Sequence, residues 1–359
     1  MVDEIFPYHS ISDEQRWPSA APWADFSVPI DPHFKQIPKF CLDNQLKIVS
    51  AGSCFAQRIS QSLQANNFNY LFTEQAPPFL PAEISQSYNY GVFSARFGNI
   101  YTARQLLQLV DRCLGNFTPI QKSWSTKDGT YIDPFRPRIQ PDGFATEEEL
   151  LLDQQHHLDK VKEMFAVADV FVFTLGLTES WFDTRDGAVL PSCPGRGFGH
   201  YDPSIYKFHN MLYNEILDDL KLSLKKIREL NSDIKFIMTI SPVPLAASMV
   251  NNHIGLSNTY SKSVLRAAVG ELVQTDQNVD YFGSYEILTH CFRNHLYWKD
   301  DMRSIKNSGL KAVFNSFYNY FVHDLPNPIL LPNHQSEVNS RSFPVIDCDE
   351  DELLRHLAR

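Results

Sequence analysis

The chain has 359 residues, more than one hydrophobic core grows to easily, so one large domain with elaborations or one domain plus an arm is expected. It is 43% apolar, 21% charged and 13% aromatic, an ordinary globular composition. The net charge of −10 and a pI near 5.6 argue against a general nucleic-acid binder, which needs a basic surface to neutralise phosphates. No segment approaches the roughly 18 uncharged apolar residues of a membrane helix, so no membrane span is expected. The start "MVDEIFPYHS" is acidic where a signal peptide needs a basic end and an apolar run, so a cytoplasmic, soluble protein is expected. Cys41, Cys54, Cys113, Cys193, Cys291 and Cys348 are scattered without a CxxC pair, which suggests neither a zinc site nor a disulfide framework.

Residues 1–45 are rich in Pro, Asp and aromatics without periodicity, and are expected to wrap as an arm on a domain at 46–325. "LKIVSA" predicts a buried strand, "FAQRISQSLQANN" a helix and "NYLFTE" a second strand. "YTARQLLQLVDRCL" predicts a helix with Tyr101, Leu106, Leu107, Val110 and Leu114 on its apolar side. Turn signals mark an insertion near 116–144. "TEEELLLDQQHHLDKVKEMFAVA" opens with a Thr followed three residues later by Glu, a capping box. "DVFVFTLG" is a continuous apolar run, the mark of a strand covered on both faces.

A second insertion follows near 182–204. "SIYKFHNMLYNEILDDLKLSLKKIREL" predicts one long amphipathic helix and "DIKFIMTISPVP" another buried strand. Next come a helix over "YSKSVLRAAVGELVQ", a short strand in "VDYFGSYE" and a closing helical region from Asp300, before a polar, Pro-rich tail at 326–359. Alternation of strand and helix throughout predicts an α/β protein with a parallel sheet and helices on both faces.

In such sheets ligands bind at the carboxyl ends of the strands. There the chain carries Gly52-Ser53-Cys54, Gly176 to Trp181, Ser241 to Pro244, and Gly283 to Glu286. Cys54 falls at the first turn of its helix, where unpaired N–H groups and the helix dipole favour an anion and lower a thiol's pKa. The same N–H groups suit the oxyanion of an acyl-transfer intermediate. The bland alternative is a buried cysteine in a strand-to-helix corner. Ser53 is either a rival nucleophile or the helix N-cap. Glu179 either orients a catalytic partner or is a structural acid, pairing for example with Arg104. Lys262 either meets an anionic substrate or is a solvated first-turn residue. Trp181 either stacks on a sugar or fills the core. His156 and His157 are adjacent on a helix among acids and do not share a face, which argues against a metal there.

"AGSCFAQRI" is the signature of the GSCFA family, and "FGNIYTARQLLQL", "VFVFTLGLTESW", "TISPVPLAAS", "YSKSVLRAAVGE" and "YFGSYEI" resemble further blocks of that family in the same order. The resemblance implies kinship with SGNH (GDSL-like) hydrolases: a flavodoxin-like three-layer sandwich with a parallel sheet, and esterase or acyltransferase activity, often on acylated carbohydrates. It maps their nucleophilic serine onto Cys54, their oxyanion glycine onto Gly98 with Asn99 beside it, and their oxyanion asparagine onto Thr178. Their Asp-x-x-His falls on Asp301-Met302-Arg303-Ser304, so the base histidine is replaced by Ser304. His253, in the loop after "SPVPL", is then the first candidate base, oriented by Glu179 or Asp301, with His295 second.

The expected activity is hydrolysis or transfer of an acyl group on a carbohydrate or other hydroxylated small molecule, with no metal. No cofactor is expected beyond an acyl-CoA donor if the protein is a transferase in polysaccharide assembly. A catalytically inactive binding module is the other alternative.

Overall fold

The computed structural model describes residues 31–33, 35–195, 199–289, 294–323 and 329. Residues 1–30 of the expected arm and all of the expected tail except residue 329 lie outside the described residues.

Strand β1 (Ile48–Gly52) leads through Ser53 into helix α1 (Cys54–Ala65). Helices α2 (Ala82–Ser87) and α3 (Ala103–Cys113) follow, then a hairpin of β2 (Trp124–Ser125) and β3 (Tyr131–Ile132) inside the first insertion. Helix α4 (Glu147–Val167) delivers the chain to β4 (Val170–Leu175). A second antiparallel sheet then forms from β5 (Glu179–Asp183), β6 (Val189–Leu190) and β7 (Tyr206–Asn210), in the order β6-β5-β7. The fold closes with α5 (Tyr213–Leu230), β8 (Lys235–Ile240), α6 (Ile254–Thr275), β9 (Val279–Phe282), α7 (Ser284–Thr289), α8 (Asn294–Tyr297) and α9 (Asn307–Phe321).

The main sheet is parallel with the order β1-β4-β8-β9. Tyr70 adds a single parallel bridge to Ile48 on the outer side of β1. Counting that bridge as a vestigial second strand gives the 2-1-3-4-5 order of flavodoxin-like sheets. Alternate residues of each strand feed two cores. Val49, Phe171, Phe173, Phe236 and Met238 pack with α3, α4, α5 and α6. Ile48, Val170, Val172, Ile237 and Phe282 pack with α1, α7 and α9. Both faces are covered, so "VFVFTL" carries no polar alternation; the protein is a flavodoxin-like three-layer α/β sandwich.

Several local expectations change. "NYLFTE" keeps only the Tyr70 bridge. The segment expected as the start of one long helix is instead β7, paired to β5 from Glu179↔Asn210 to Asp183↔Tyr206. The Leu212 N–H donates to the Glu215 carboxylate at 2.7 Å, which fixes the start of α5 at Tyr213. Helix α6 begins at Ile254, well before "YSKSVLR".

Candidate active site

The β1–α1 corner requires glycine. Gly52 has φ +142°, and a Cβ there would stand 2.4 Å from the Thr174 carbonyl oxygen of β4. The Ser53 N–H donates to that same oxygen at 3.0 Å, and the Ile100 N–H donates to the Gly52 carbonyl at 2.8 Å. On the other side the N–H of Gly176, just past β4, donates to the Tyr101 carbonyl at 2.8 Å. These bonds draw the ends of β1 and β4 and the loop before α3 around one point, where the strand order reverses and α/β sheets bind ligands.

A small pocket opens at that point, about 250 Å³ including its mouth. It is lined by Ser53, Cys54, Tyr101, Gly176, Leu177, Ser241, Val243, Leu245 and Lys262. Cys54 is the first residue of α1 and is partly exposed. It is disulfide-bonded, whereas Cys41, Cys113 and Cys193 carry free thiols. No disulfide framework was expected from the scattered cysteines, and this bond departs from that, because wide sequence spacing does not exclude the short Cα separation a disulfide needs. Ser53 occupies the N-cap, yet its hydroxyl caps nothing; its Oγ is buried without a hydrogen-bond partner. A Cβ on Gly176 would approach Ser53 Cβ to 3.3 Å, so there is little room between the two residues.

Lys262 is 2% exposed, and its Nζ donates to the Gly176 carbonyl at 2.6 Å. It is the ninth residue of α6, not a first-turn residue, so it enters the pocket from beneath and not from solvent. Sequence reasoning missed Tyr101 as a pocket residue and set Lys262 too near the start of its helix, whereas Ser241 and Val243 of the strand end it singled out do line the pocket. The early start of α6 would have revealed Lys262, because Ser261, Lys262 and Leu265 then share its buried face.

The other expected site residues lie elsewhere. His253 is exposed as the N-cap of α6, its Nδ1 accepting the Gly255 N–H at 3.1 Å. It stands nine residues before Lys262, about 13 Å along the axis at the α-helical rise. Glu179 accepts the Ser248 hydroxyl at 2.5 Å, and burial pushes its carboxyl up. Arg104 does not reach Glu179 but pairs with Asp219 at 2.7 Å. Asp301 is exposed and closes its own turn, accepting the Arg303 and Ser304 N–H groups and the Ser304 hydroxyl. Burial raises its carboxyl, but the hydrogen bonds from the Ser304 hydroxyl and the Arg303 and Ser304 N–H groups together outweigh it and hold the carboxyl below the usual range.

Thr178 is buried, but its N–H goes to Ser261 Oγ at 3.0 Å and its hydroxyl to Asn210 Oδ1 at 2.6 Å. Both donors are therefore engaged away from the pocket. Trp181 packs edge-on against Tyr201 and Phe208 in the small antiparallel sheet. Gly98, with φ +70°, and Asn99 line a neighbouring cleft with Arg136 and Arg138. Asn99 touches the corner indirectly, accepting Gln57 Nε2 of α1 at 3.3 Å. His295 belongs to α8, and its side chain lies outside what is described. The fourth strand end is covered: the Gly283 N–H donates to His33 Nε2 at 2.9 Å, from the segment before β1. His156 is exposed while His157 is buried against Glu74, so the two separate as helix geometry requires.

Among the described residues no helix is long and apolar enough to cross a membrane. No curated protein matches the chain. Among solved structures, a family 3 carbohydrate esterase of Clostridium thermocellum is similar at 12% identity, covering 77% of this chain and 94% of that one with a TM-score of 0.25. The GSCFA family matches residues 47–317, which contain the Gly52-Ser53-Cys54 corner and all the lining of its pocket, and the chain belongs to that family.

Proposed function

We propose that the protein is an acyl-ester hydrolase or O-acyltransferase acting on a carbohydrate or other hydroxylated small molecule, with reduced Cys54 as nucleophile. The observation that carries this reading is Cys54 at the first position of α1, sharing a pocket at the β1 and β4 strand ends with buried Lys262. Lys262, not His253, is the proton carrier in this reading, since it lines the pocket and His253 does not. A lysine amine in its neutral form can accept a proton, the role that lysines take as general bases.

The thiol proton passes to Lys262 Nζ as Sγ attacks the acyl carbon. The first-turn N–H groups of α1, which lack intrahelical acceptors, receive the developing oxyanion. The acyl C–O bond then breaks, and the Lys262 proton leaves with the alcohol. Water, or the hydroxyl of a second substrate, attacks the thioester; its proton passes through Lys262 to the departing Sγ. The Cys54 disulfide must open first, and excess dithiothreitol does this while being oxidised to its own cyclic disulfide.

The Cys54 disulfide also favours a second reading, a non-catalytic binding module in which that cysteine is structural. The deciding assay offers the dithiothreitol-treated protein p-nitrophenyl acetate and acetyl-CoA in parallel, with Cys54→Ala and Ser53→Ala as controls. Turnover abolished by Cys54→Ala and retained by Ser53→Ala is expected. Turnover indifferent to Cys54→Ala moves the nucleophile to Ser53, and no turnover with either donor leaves the binding module.

A further inference from the structure

A second cleft lies behind the loop 98–101, sharing no lining residue with the Cys54 pocket. It encloses about 400 Å³ including its mouth, and its walls include Asn99, Gln105, Arg112, Phe135, Arg136 and His157. The adjoining cleft beside Gly98 and Arg138 shares Asn99, Phe135, Arg136 and Pro191 with it, so the two form one groove under the first insertion.

The charges around this groove are unevenly matched. Asp133 pairs with Arg136 at 2.7 Å, Asp153 pairs with Arg136 at 2.6 Å and with Arg96 at 3.0 Å, and Glu74 holds His157 at 2.7 Å. Arg112 is left over. It is 9% exposed, its Nε is buried with no hydrogen-bond partner, and no carboxylate lies within 4.0 Å of it among the described residues. Phe135 covers one face of its guanidinium, with 4.1 Å from Cζ to the ring centroid. Stacking uses only the face; the N–H donors lie in the guanidinium plane and stay available to a ligand. Burial pulls Arg112 down to about 10, with the Asp133 charge opposing the fall and Arg136 adding to it; Asp133 itself is bonded to Arg136 and not to Arg112.

His157 is the second unsatisfied group. Its Nδ1 lies 2.7 Å from a Glu74 carboxylate oxygen, which only accepts, so Nδ1 carries the proton. Burial and then Arg136 push the ring's pKa down, so Nε2 is left as a buried acceptor with no partner. A ligand suited to this groove therefore needs a negative oxygen for Arg112 and a hydroxyl proton for His157 Nε2. A carboxylate offers only the first at neutral pH. A hydrogen phosphate offers both.

We propose that the groove lined by Arg112, Phe135 and His157 is a binding site for a phosphate group, separate from the Cys54 pocket. The group is inorganic phosphate or the phosphate of a monoester; Arg112 binds an anionic oxygen and His157 Nε2 accepts from P–O–H. The site does not rest on Cys54 being a nucleophile, and its test needs no turnover.

The test is calorimetric titration and thermal unfolding of the full chain with inorganic phosphate, glucose 6-phosphate and acetate, each against chloride at matched ionic strength. Inorganic phosphate is expected to bind and raise Tm, acetate to do so at least tenfold more weakly. A stronger response to glucose 6-phosphate than to inorganic phosphate identifies a monoester, and the reverse identifies the free ion. Arg112→Met, which keeps an apolar stem over Phe135, is expected to lose the response. Should that variant fold poorly, His157→Phe replaces it, with the same loss expected. No response to any probe in the wild type, equal binding of acetate, or an undiminished response in a folded variant overturns the proposal.

Discussion

Lys262 Nζ donates to the carbonyl oxygen of Gly176 at 2.6 Å, which fixes a lysine only 2% exposed at the junction of β4, α6 and the β1–α1 corner. Gly176 also lies beside Ser53 in the pocket lining, so Lys262, the Gly176 carbonyl and the β1–α1 corner adjoin one another. If Lys262 moves the proton, Lys262→Ala lowers kcat by about 10²–10⁴-fold, the usual worth of a positioned acid–base group. Added ethylamine restores part of the rate, which a lysine with a purely structural role would not permit. Activity within twofold of wild type in Lys262→Ala sinks the assignment.

His253 and Asp301 give the opposite expectation. His253 is exposed and caps its own helix, and the Asp301 oxygens are occupied by the 301–304 turn. We expect His253→Ala and Asp301→Ala each to retain kcat/KM within about twofold, with Asp301→Ala costing about 1 kcal/mol of stability for its lost turn hydrogen bonds. A hundredfold loss in His253→Ala would return the base to that histidine.

The sheet was legible because each central strand is buried on both faces, which makes "IVSAG", "VFVFTL" and "KFIMTI" near-continuous apolar runs. The corner was legible too, since a glycine at a strand end followed by a small residue and a helical pattern has few other uses. Lys262 was not. Reading α6 from "YSKSVLR" left the lysine either a contact to an anionic substrate or a solvated first-turn residue, whereas the start at Ile254 puts it on the buried face. Thr178 was misplaced for a related reason. Its hydroxyl is taken by Asn210, and that contact exists only because residues 206–210 form a strand on β5 where a helix was expected. Arg112 resembles a last-turn cation serving the helix dipole; the insertion that buries it under Phe135 comes from distant sequence.

Two glycines of the site should fail in different ways. Gly52→Ala places a Cβ 2.4 Å from a backbone oxygen at φ +142°, where neither atom has room to move. A loss of about 3 kcal/mol or more is expected, seen as a lowered urea midpoint. Gly176→Ala has no positive φ to oppose it and meets Tyr101 Cδ1 at 3.0 Å and Ser53 Cβ at 3.3 Å. Its stability cost is about 1 kcal/mol, while kcat/KM drops at least tenfold because the added methyl narrows the pocket. Equal damage to stability in both variants would refute this view of the corner.

Reduced protein should show a reactive thiol at the helix terminus and inert ones at Cys113 and Cys193. Burial pushes Cys113 up to about 12 and Cys193 up to about 11, so neither is a thiolate near neutral pH. Cys54, once freed from its disulfide, sits where the α1 dipole favours the thiolate. Iodoacetamide at pH 7, followed by peptide mass mapping, is expected to label Cys54 at least tenfold faster than Cys113 or Cys193. Labelling at equal rates removes the basis for a nucleophilic Cys54.

The Glu74–His157 pair makes a prediction for acid. Burial alone would raise the Glu74 carboxyl, but the His157 ring and then Arg136 override it and hold it at about 2. A carboxylate depressed in the folded state contributes stability that is present above its unfolded value and is lost as pH falls through the folded one. Here that window lies below about pH 4.5. His157 is shifted the same way: burial lowers it below 6.5, so its neutral form belongs to the fold, and protonation in acid opposes folding. Both groups bind more protons when unfolded, so Tm should decline steadily as pH drops below about 6.5. Glu74→Gln should be less stable than wild type above pH 4.5, and the gap between the two should close toward pH 2. Thermal unfolding from pH 8 to pH 2.5 measures that gap. A gap that stays constant over the acid range would mean that Glu74 acts through shape and hydrogen bonding, with its charge contributing nothing.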